Sequence, residues 1–172
     1  MKTSVTSVNR QTVDLSAYPD LVVIYLGMQV RTLTGIKTLM GIGPQIPKAG
    51  SSRPEGLLHF ETNIIFSLFP VHLMMRWYWR DFESMERWAR SEPHRKWWQD
   101  FLRSSGGTGF WHEMYSMRGG MEAIYDDVTK RIGFLAFAPS KVARGPMFSA
   151  RRRLGVAGDV PQPDGTAERE LY

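Results

Sequence analysis

Residues 56–80 read GLLHFETNIIFSLFPVHLMMRWYWR, and the alternation within this stretch decides the fold. From Leu58 to Leu68 the side chains trade places at period two. Leu58, Phe60, Thr62, Ile64, Phe66 and Leu68 point to one face; His59, Glu61, Asn63 and Ser67 point to the other. That is a strand with one face covered. Pro70 ends it, and LMMRWYWR (Leu73 to Arg80) reads as the next strand.

Working upstream, LVVIYLGMQV (Leu21 to Val30) is a continuous apolar run rich in β-formers, as in a strand covered on both faces. Ile36, Leu39, Met40 and Ile46 then recur at helical spacing, with Gly41, Gly43 and Pro44 expected to break or kink the helix. Downstream, Asp81 is placed to cap a helix whose inner stripe is Phe82, Met85, Trp88 and Ala89. Ser91-Glu92-Pro93 reads as a second helix start, and its stripe of Trp97, Trp98, Phe101 and Leu102 runs to Gly106-Gly107. A last strand, GFWHEMYSMR, follows from about Gly109 to Arg118. The order is β-α-β-β-α-β, so the expected fold is an α+β, ferredoxin-like βαββαβ domain with a C-terminal extension.

At 172 residues the chain suits one such domain: residues 1–20 as an N-terminal arm, 21–118 as the ferredoxin-like domain, 119–155 as a basic extension packing on the domain or a partner subunit, and 156–172 as a flexible tail. No apolar run is long enough to span a membrane and no signal h-region opens the chain, so a cytoplasmic address is expected. The absence of cysteine removes disulfides, thiolate catalysis and zinc-finger ligation.

The formal charge is +5. Between Lys130 and Gly155 lie seven basic residues and no acidic one; without them the chain has 15 Lys and Arg against 17 Asp and Glu. The basicity belongs to one C-terminal segment, which argues against a nucleic-acid partner and for an arm on an acidic protein surface.

All six tryptophans, at 77, 79, 88, 97, 98 and 111, lie within 35 residues, close to His72, His94 and His112. They read either as a bulky core or as a rigid pocket for a planar, hydrophobic small molecule. His94 precedes Trp97 and Trp98 by three and four residues and so shares their inward face, where desolvation keeps an imidazole neutral. It fits a base, an axial ligand or a buried structural histidine. His112 and Glu113 are adjacent on a strand and point to opposite faces, so they cannot share one metal. Glu113, between Trp111 and Tyr115, is either a carboxylate of raised pKa or a partner for Arg76. His59, Glu61 and Asn63 form a polar stripe without a third metal ligand, and no metal is expected. GIGP and SSGGTG match no dinucleotide or Walker spacing, and no Gly-x-Ser-x-Gly elbow occurs.

The stretch YWRDFESMERWARSEPHRKWWQDFLRSSGGTGFWHEMY, with the upstream VVIYLGMQVR and EGLLHFE and the downstream GPMFSARRR, resembles a monooxygenase-like family of the dimeric α/β-barrel superfamily, alongside the antibiotic-biosynthesis monooxygenases. A fungal relative is an oxygenase of terpenoid biosynthesis. The resemblance runs from about Val22 to Arg153. It implies a homodimer whose two sheets close into a barrel, with a cleft between sheet and helices in each subunit. It implies an oxygenase of natural-product metabolism acting on a polycyclic or polyene substrate, with no cofactor expected and haem as the alternative, since the superfamily also holds haem enzymes such as aldoxime dehydratases. A cofactor-free cyclase or isomerase and a non-catalytic binding protein are the other readings. The segments carried over are Ser91-Glu92-Pro93-His94 and Trp111-His112-Glu113-Met114-Tyr115. The expected catalytic groups are His94, His112, Glu113 and Tyr78; the expected substrate contacts are Trp88, Trp97, Trp98, Trp111, Tyr115, Arg76, Glu61 and Asn63, with Asn63 and Trp88 matched to sister oxygenases by element only.

Overall fold

The structure, a computed structural model, describes residues 9–118, 120–128, 130–147 and 150–154, apart from the side chains of Asn63, Ala150 and Arg151. In chain order the elements are β1 (Arg10–Val13), β2 (Val22–Val30), α1 (Leu33–Ile42), α2 (Gln45–Ser51), β3 (Leu57–Leu68), β4 (Val71–Trp79), α3 (Phe82–Arg90), α4 (His94–Arg103), β5 (Thr108–Ser116), β6 (Tyr125–Asp126), β7 (Ser140–Val142) and α5 (Ala150–Arg153). They fall into two compact units, residues 18–118 and the two flanking segments together. Among the described residues no helix is long and apolar enough to cross a membrane.

The larger unit is an antiparallel sheet in the order β3-β4-β2-β5, with helices between β2 and β3 and between β4 and β5. This is the α+β, ferredoxin-like arrangement that the alternation predicts. Leu21, Val22 and Val23 are buried, as the uninterrupted apolar run requires. The single helix expected after β2 is two, α1 and α2, separated at Gly43 and Pro44. Gly107, at φ +80, closes the turn into β5. Its carbonyl accepts from both Arg31 and Thr32 at the start of α1, which ties the two crossovers together.

The helices cover one face of the sheet. Trp77 and Trp79 of β4 stack at 6.1 Å, and Trp88 of α3 closes on them at 4.9 and 5.6 Å. Val22, Ile46, Met75 and Met85 complete the buried cluster. Asp81 caps α3 by accepting from the Ser84 N–H at 2.7 Å; the Ser84 side chain, then Arg80, then that N–H bring the Asp81 carboxyl down to about 2.

The alternation in β3 does not run through the strand. Register shifts fall at Leu57/His59, Glu61/Ile64 and Ile65/Ser67. Phe60 meets Trp77 on the helix side, whereas Ile64 pairs with Met74 and Phe66 stacks on His72 on the other side. The apolar set expected on one face is therefore shared between both, because each bulge inserts a residue and flips the facing of the side chains after it.

In the smaller unit β1 lies between β6 and β7. Two groups of the basic segment have acidic partners here: Lys141 meets Asp14 at 2.7 Å, and the Arg153 side chain, 6% exposed, meets Glu122 at 2.8 Å. The expected tail, residues 156–172, lies outside the described residues.

Candidate functional site

The candidate site lies on the helix-covered face. Ile42, Ile46, Trp88, Trp97, Trp98 and Phe101 from the helices face Leu26, Met28, Trp77 and Phe110 from the sheet, and among the described residues His94 is the one ionisable side chain lining the space between. Helical spacing puts His94, Trp97, Trp98 and Phe101 on one side of α4, which α3 and α2 hold against the sheet. Trp97 is fixed by its indole N–H, which donates to Gln45 Oε1 at 3.2 Å.

His94 sits in a ring of aromatic groups, 4.7 Å from Trp88, 6.4 Å from Trp97 and 6.3 Å from Trp98. Its Nδ1–H donates to the Ala89 carbonyl at 2.7 Å, which leaves Nε2 with no hydrogen-bond partner among the described residues. Burial pushes its pKa below the ordinary histidine value; the Ala89 bond opposes this and nearby His112 adds to it. The result is a neutral imidazole presenting a lone pair to an apolar cavity. Trp77, 2% exposed, adds a second polar feature: its Nε1 is buried without a partner. His112 lies outside the rings, exposed, with Trp98 at 6.2 Å.

The sheet separates this cavity from the rest of the expected site residues. Glu61, Arg76, Tyr25 and Glu113 form one row across the opposite face, and His59, Tyr78, Val23 and Tyr115 form the next. Arg76 is held by Glu61, at 2.5 Å from Nη2 and 2.7 Å from Nε, and by Tyr25 at 3.1 Å. Burial works against its charge, but these hydrogen bonds more than offset it and raise its pKa. Glu113 instead accepts from the Tyr115 hydroxyl at 2.5 Å, which raises the Tyr115 pKa. Tyr78 is buried, with His59 stacked at 5.9 Å. Trp111 is also on this face, and its N–H donates to His72 Nε2 at 2.7 Å.

Of the expected residues, then, His94, Trp88, Trp97 and Trp98 come together, with His112 at their edge. Glu61, Arg76, Tyr78, Trp111, Glu113 and Tyr115 form a separate group, and the Asn63 side chain lies outside the described residues. Trp77, Phe101 and Phe110 belong to the cavity but were not expected to touch substrate. Their signal was present: Phe101 falls one turn beyond Trp97 and Trp98, and Phe110 is two residues from His112.

Comparison with known proteins identifies the fold's lineage. Residues 21–134 match the family described as monooxygenase af470-like. The chain belongs to that family. Its matched span takes in the whole sheet and all four helices of the larger unit. Beyond the monooxygenase af470-like family, the chain is 32% identical over 103 residues to an aliphatic aldoxime dehydratase of Rhodococcus erythropolis, covering 59% of this chain and 29% of that protein. A second aliphatic aldoxime dehydratase, from Rhodococcus globerulus, is 35% identical over 71 residues, covering 41% and 20%. The crystal structure of an aldoxime dehydratase (OxdRE) in complex with butyraldoxime superposes with a TM-score of 0.64 at 26% identity, covering 86% of this chain and 43% of that one. This chain thus spans less than a third of the curated relatives' length and less than half of the solved enzyme's. Both the family and these relatives are enzymes.

Proposed function

We propose that the chain oxygenates a hydrophobic, conjugated small molecule held in the aromatic cavity, with His94 as the base. The observation that carries this reading is the free Nε2 of a neutral His94 in a cavity otherwise lined by apolar and aromatic side chains. Such a base suits a substrate whose acidic C–H lies next to a carbonyl. His94 takes that proton, and the carbanion passes its electrons to molecular oxygen. Over the full reaction a CH2 becomes C=O: one oxygen atom enters the product, the other leaves as water, and His94 returns its proton to that water. The rings hold the substrate and exclude bulk water. Homodimerisation, a cytoplasmic address and packing of residues 119–155 on the domain or a partner belong to the same reading.

A haem fits these residues poorly. His94 Nε2 would supply a nitrogen ligand, but among the described residues the cavity lining includes no Lys or Arg to pair with the two carboxylates such a group would bring.

A second reading, aldoxime dehydration, is favoured by the likeness to the aliphatic aldoxime dehydratases. There His94 would take the aldoxime C–H proton while the N–O bond breaks, giving a nitrile and water without oxygen. The test is oxygen uptake with 2-tetralone, an enolisable bicyclic ketone, alongside nitrile formation from butyraldoxime under anaerobiosis. Oxygen uptake that falls 10²- to 10⁴-fold in His94→Gln is the expected result. Anaerobic nitrile formation would replace the oxygenase with the dehydratase, and a Soret band lost in that variant would replace the cofactor-free mechanism.

A further inference from the structure

The helices of the larger unit do not meet solvent in the same way. α3 and α4 carry ion pairs on their outer sides, such as Glu86–Arg90 at 2.6 Å and Lys96–Asp100 at 3.1 Å. α1 carries a single charge, Lys37, and is otherwise built of Leu, Ile, Met, Thr and Gly. Its inner side is fixed. Gly35 is buried, and a Cβ there would run into the Gly107 carbonyl oxygen. Thr38 donates to the Gly106 carbonyl at 2.7 Å, and Ile42 lines the His94 cavity. Leu33, Ile36, Lys37 and Met40 fall on the opposite side at helical spacing. Leu33 is 85% exposed and Met40 72%, with Ile36 exposed between them. Backbone contact at Gly35 leaves α1 no rotation that would bury this stripe. A contiguous apolar stripe held outward marks an interaction surface.

The charge around it is of one sign. From Leu21 to Pro54 the chain has no Asp or Glu. Arg31, Lys37, Lys48 and Arg53 are all exposed, and none has an ion pair among the described residues. Arg31 lies two residues before Leu33, and Lys37 sits beside Ile36 and Met40 on the stripe itself. Cations framing an apolar helix face are what seats a helix in the headgroup region of a bilayer. The apolar side chains enter the acyl boundary while Lys and Arg meet lipid phosphates. A lipid surface supplies both kinds of contact without a matched shape.

We infer that the outer face of α1 docks on an anionic lipid surface, with Leu33, Ile36 and Met40 in the acyl boundary and Arg31 and Lys37 at the phosphates. The helix lies on the membrane and does not cross it. Docking is independent of the reaction at His94 and of which substrate fills that cavity.

The test is flotation of the full chain with vesicles of phosphatidylcholine alone and with vesicles of phosphatidylcholine and phosphatidylglycerol in equal parts. Binding to the mixed vesicles about tenfold tighter, and weakening as salt is added, is expected. Leu33→Glu should weaken it about tenfold; a carboxylate in the first turn suits the helix dipole, so the fold is kept. Lys37→Gln, at an exposed position, should weaken it about fivefold. Equal binding to the two vesicles, or binding to neither, would overturn the docking surface. So would binding that survives Leu33→Glu and is lost in Phe69→Ser, since Phe69, 98% exposed between β3 and β4, would then be the seat. Sedimentation showing a dimer that Leu33→Glu dissociates would overturn it too, the occupant then being a second copy of the chain.

Discussion

The two faces of the sheet are built from the same four strands and solve different physical problems. On the helix side, successive rows meet rings: Phe60 on Trp77, Trp77 and Trp79 on Trp88, Trp98 on Phe110 at 5.3 Å. Almost everything there is apolar, so a single imidazole stands out energetically and stays uncharged. On the other side, Arg76 is engaged by Glu61 and Tyr25, and the aromatic groups are tied by hydrogen bonds through Tyr25, Trp111 and Tyr115. One face stores stability in packing, the other in paired polar groups. Chemistry that needs a neutral base belongs to the first.

Truncation separates the faces most sharply. Trp77→Ala removes the centre of the ring stack and should cost about 3–5 kcal/mol, read as a drop in the urea midpoint. Tyr115→Ala, at an exposed residue, should leave that midpoint almost unmoved. Comparable losses from the two would break the distinction. Next in size is Glu61→Gln, which leaves the half-buried Arg76 without its carboxylate; about 1–3 kcal/mol is expected in the same measurement. Arg76→Leu in the Glu61→Gln background should then cost less than either change predicts alone, because the two groups share one interaction.

A smaller effect lies at the cap of α3, where Asp81→Ala should cost about 1 kcal/mol. Because the folded pKa of Asp81 is lowered from 3.8 to about 2, this contribution is full above the ordinary carboxylate range. It fades as pH falls toward 2, where wild type and variant should converge. The smallest effect is the acid response of His94. Its folded pKa is below that of the unfolded chain, so above the ordinary histidine range both states are neutral and His94 imposes no cost. As pH falls through that range the unfolded chain takes up the proton first and stability declines. His94→Gln should flatten this part of the stability–pH profile, whereas Glu113→Gln should leave it unchanged.

The fold was legible where period and punctuation agreed. The apolar run of β2, the Asp81 cap and the stop at Gly106-Gly107 each correspond to an observed element or boundary. The split of one helix at Gly43-Pro44 was signalled by the same residues. The four-residue β1 was not legible, since so short a strand carries no periodicity that its pairing with β6 and β7 does not supply. The faces of β3 were misread for a related reason: bulges are set by cross-strand pairing and leave no mark on alternation. For the site, helical spacing identified His94, Trp97 and Trp98 as neighbours. Opposite pointing of His112 and Glu113 followed from adjacency, but assigning Glu61, Arg76 and Tyr78 to a face needed the register of β3 and β4.

Histidine 15N spectra recorded during a titration with 2-tetralone test the central claim, that the hydrophobic substrate enters the helix-covered face at His94. The account predicts that His94 starts as the neutral tautomer protonated at Nδ1, that its Nε2 resonance moves as the ketone binds, and that His72 and the Trp111 indole stay still. Movement of His72 and Trp111 with His94 unchanged would place the ligand on the other face of the sheet and contradict it.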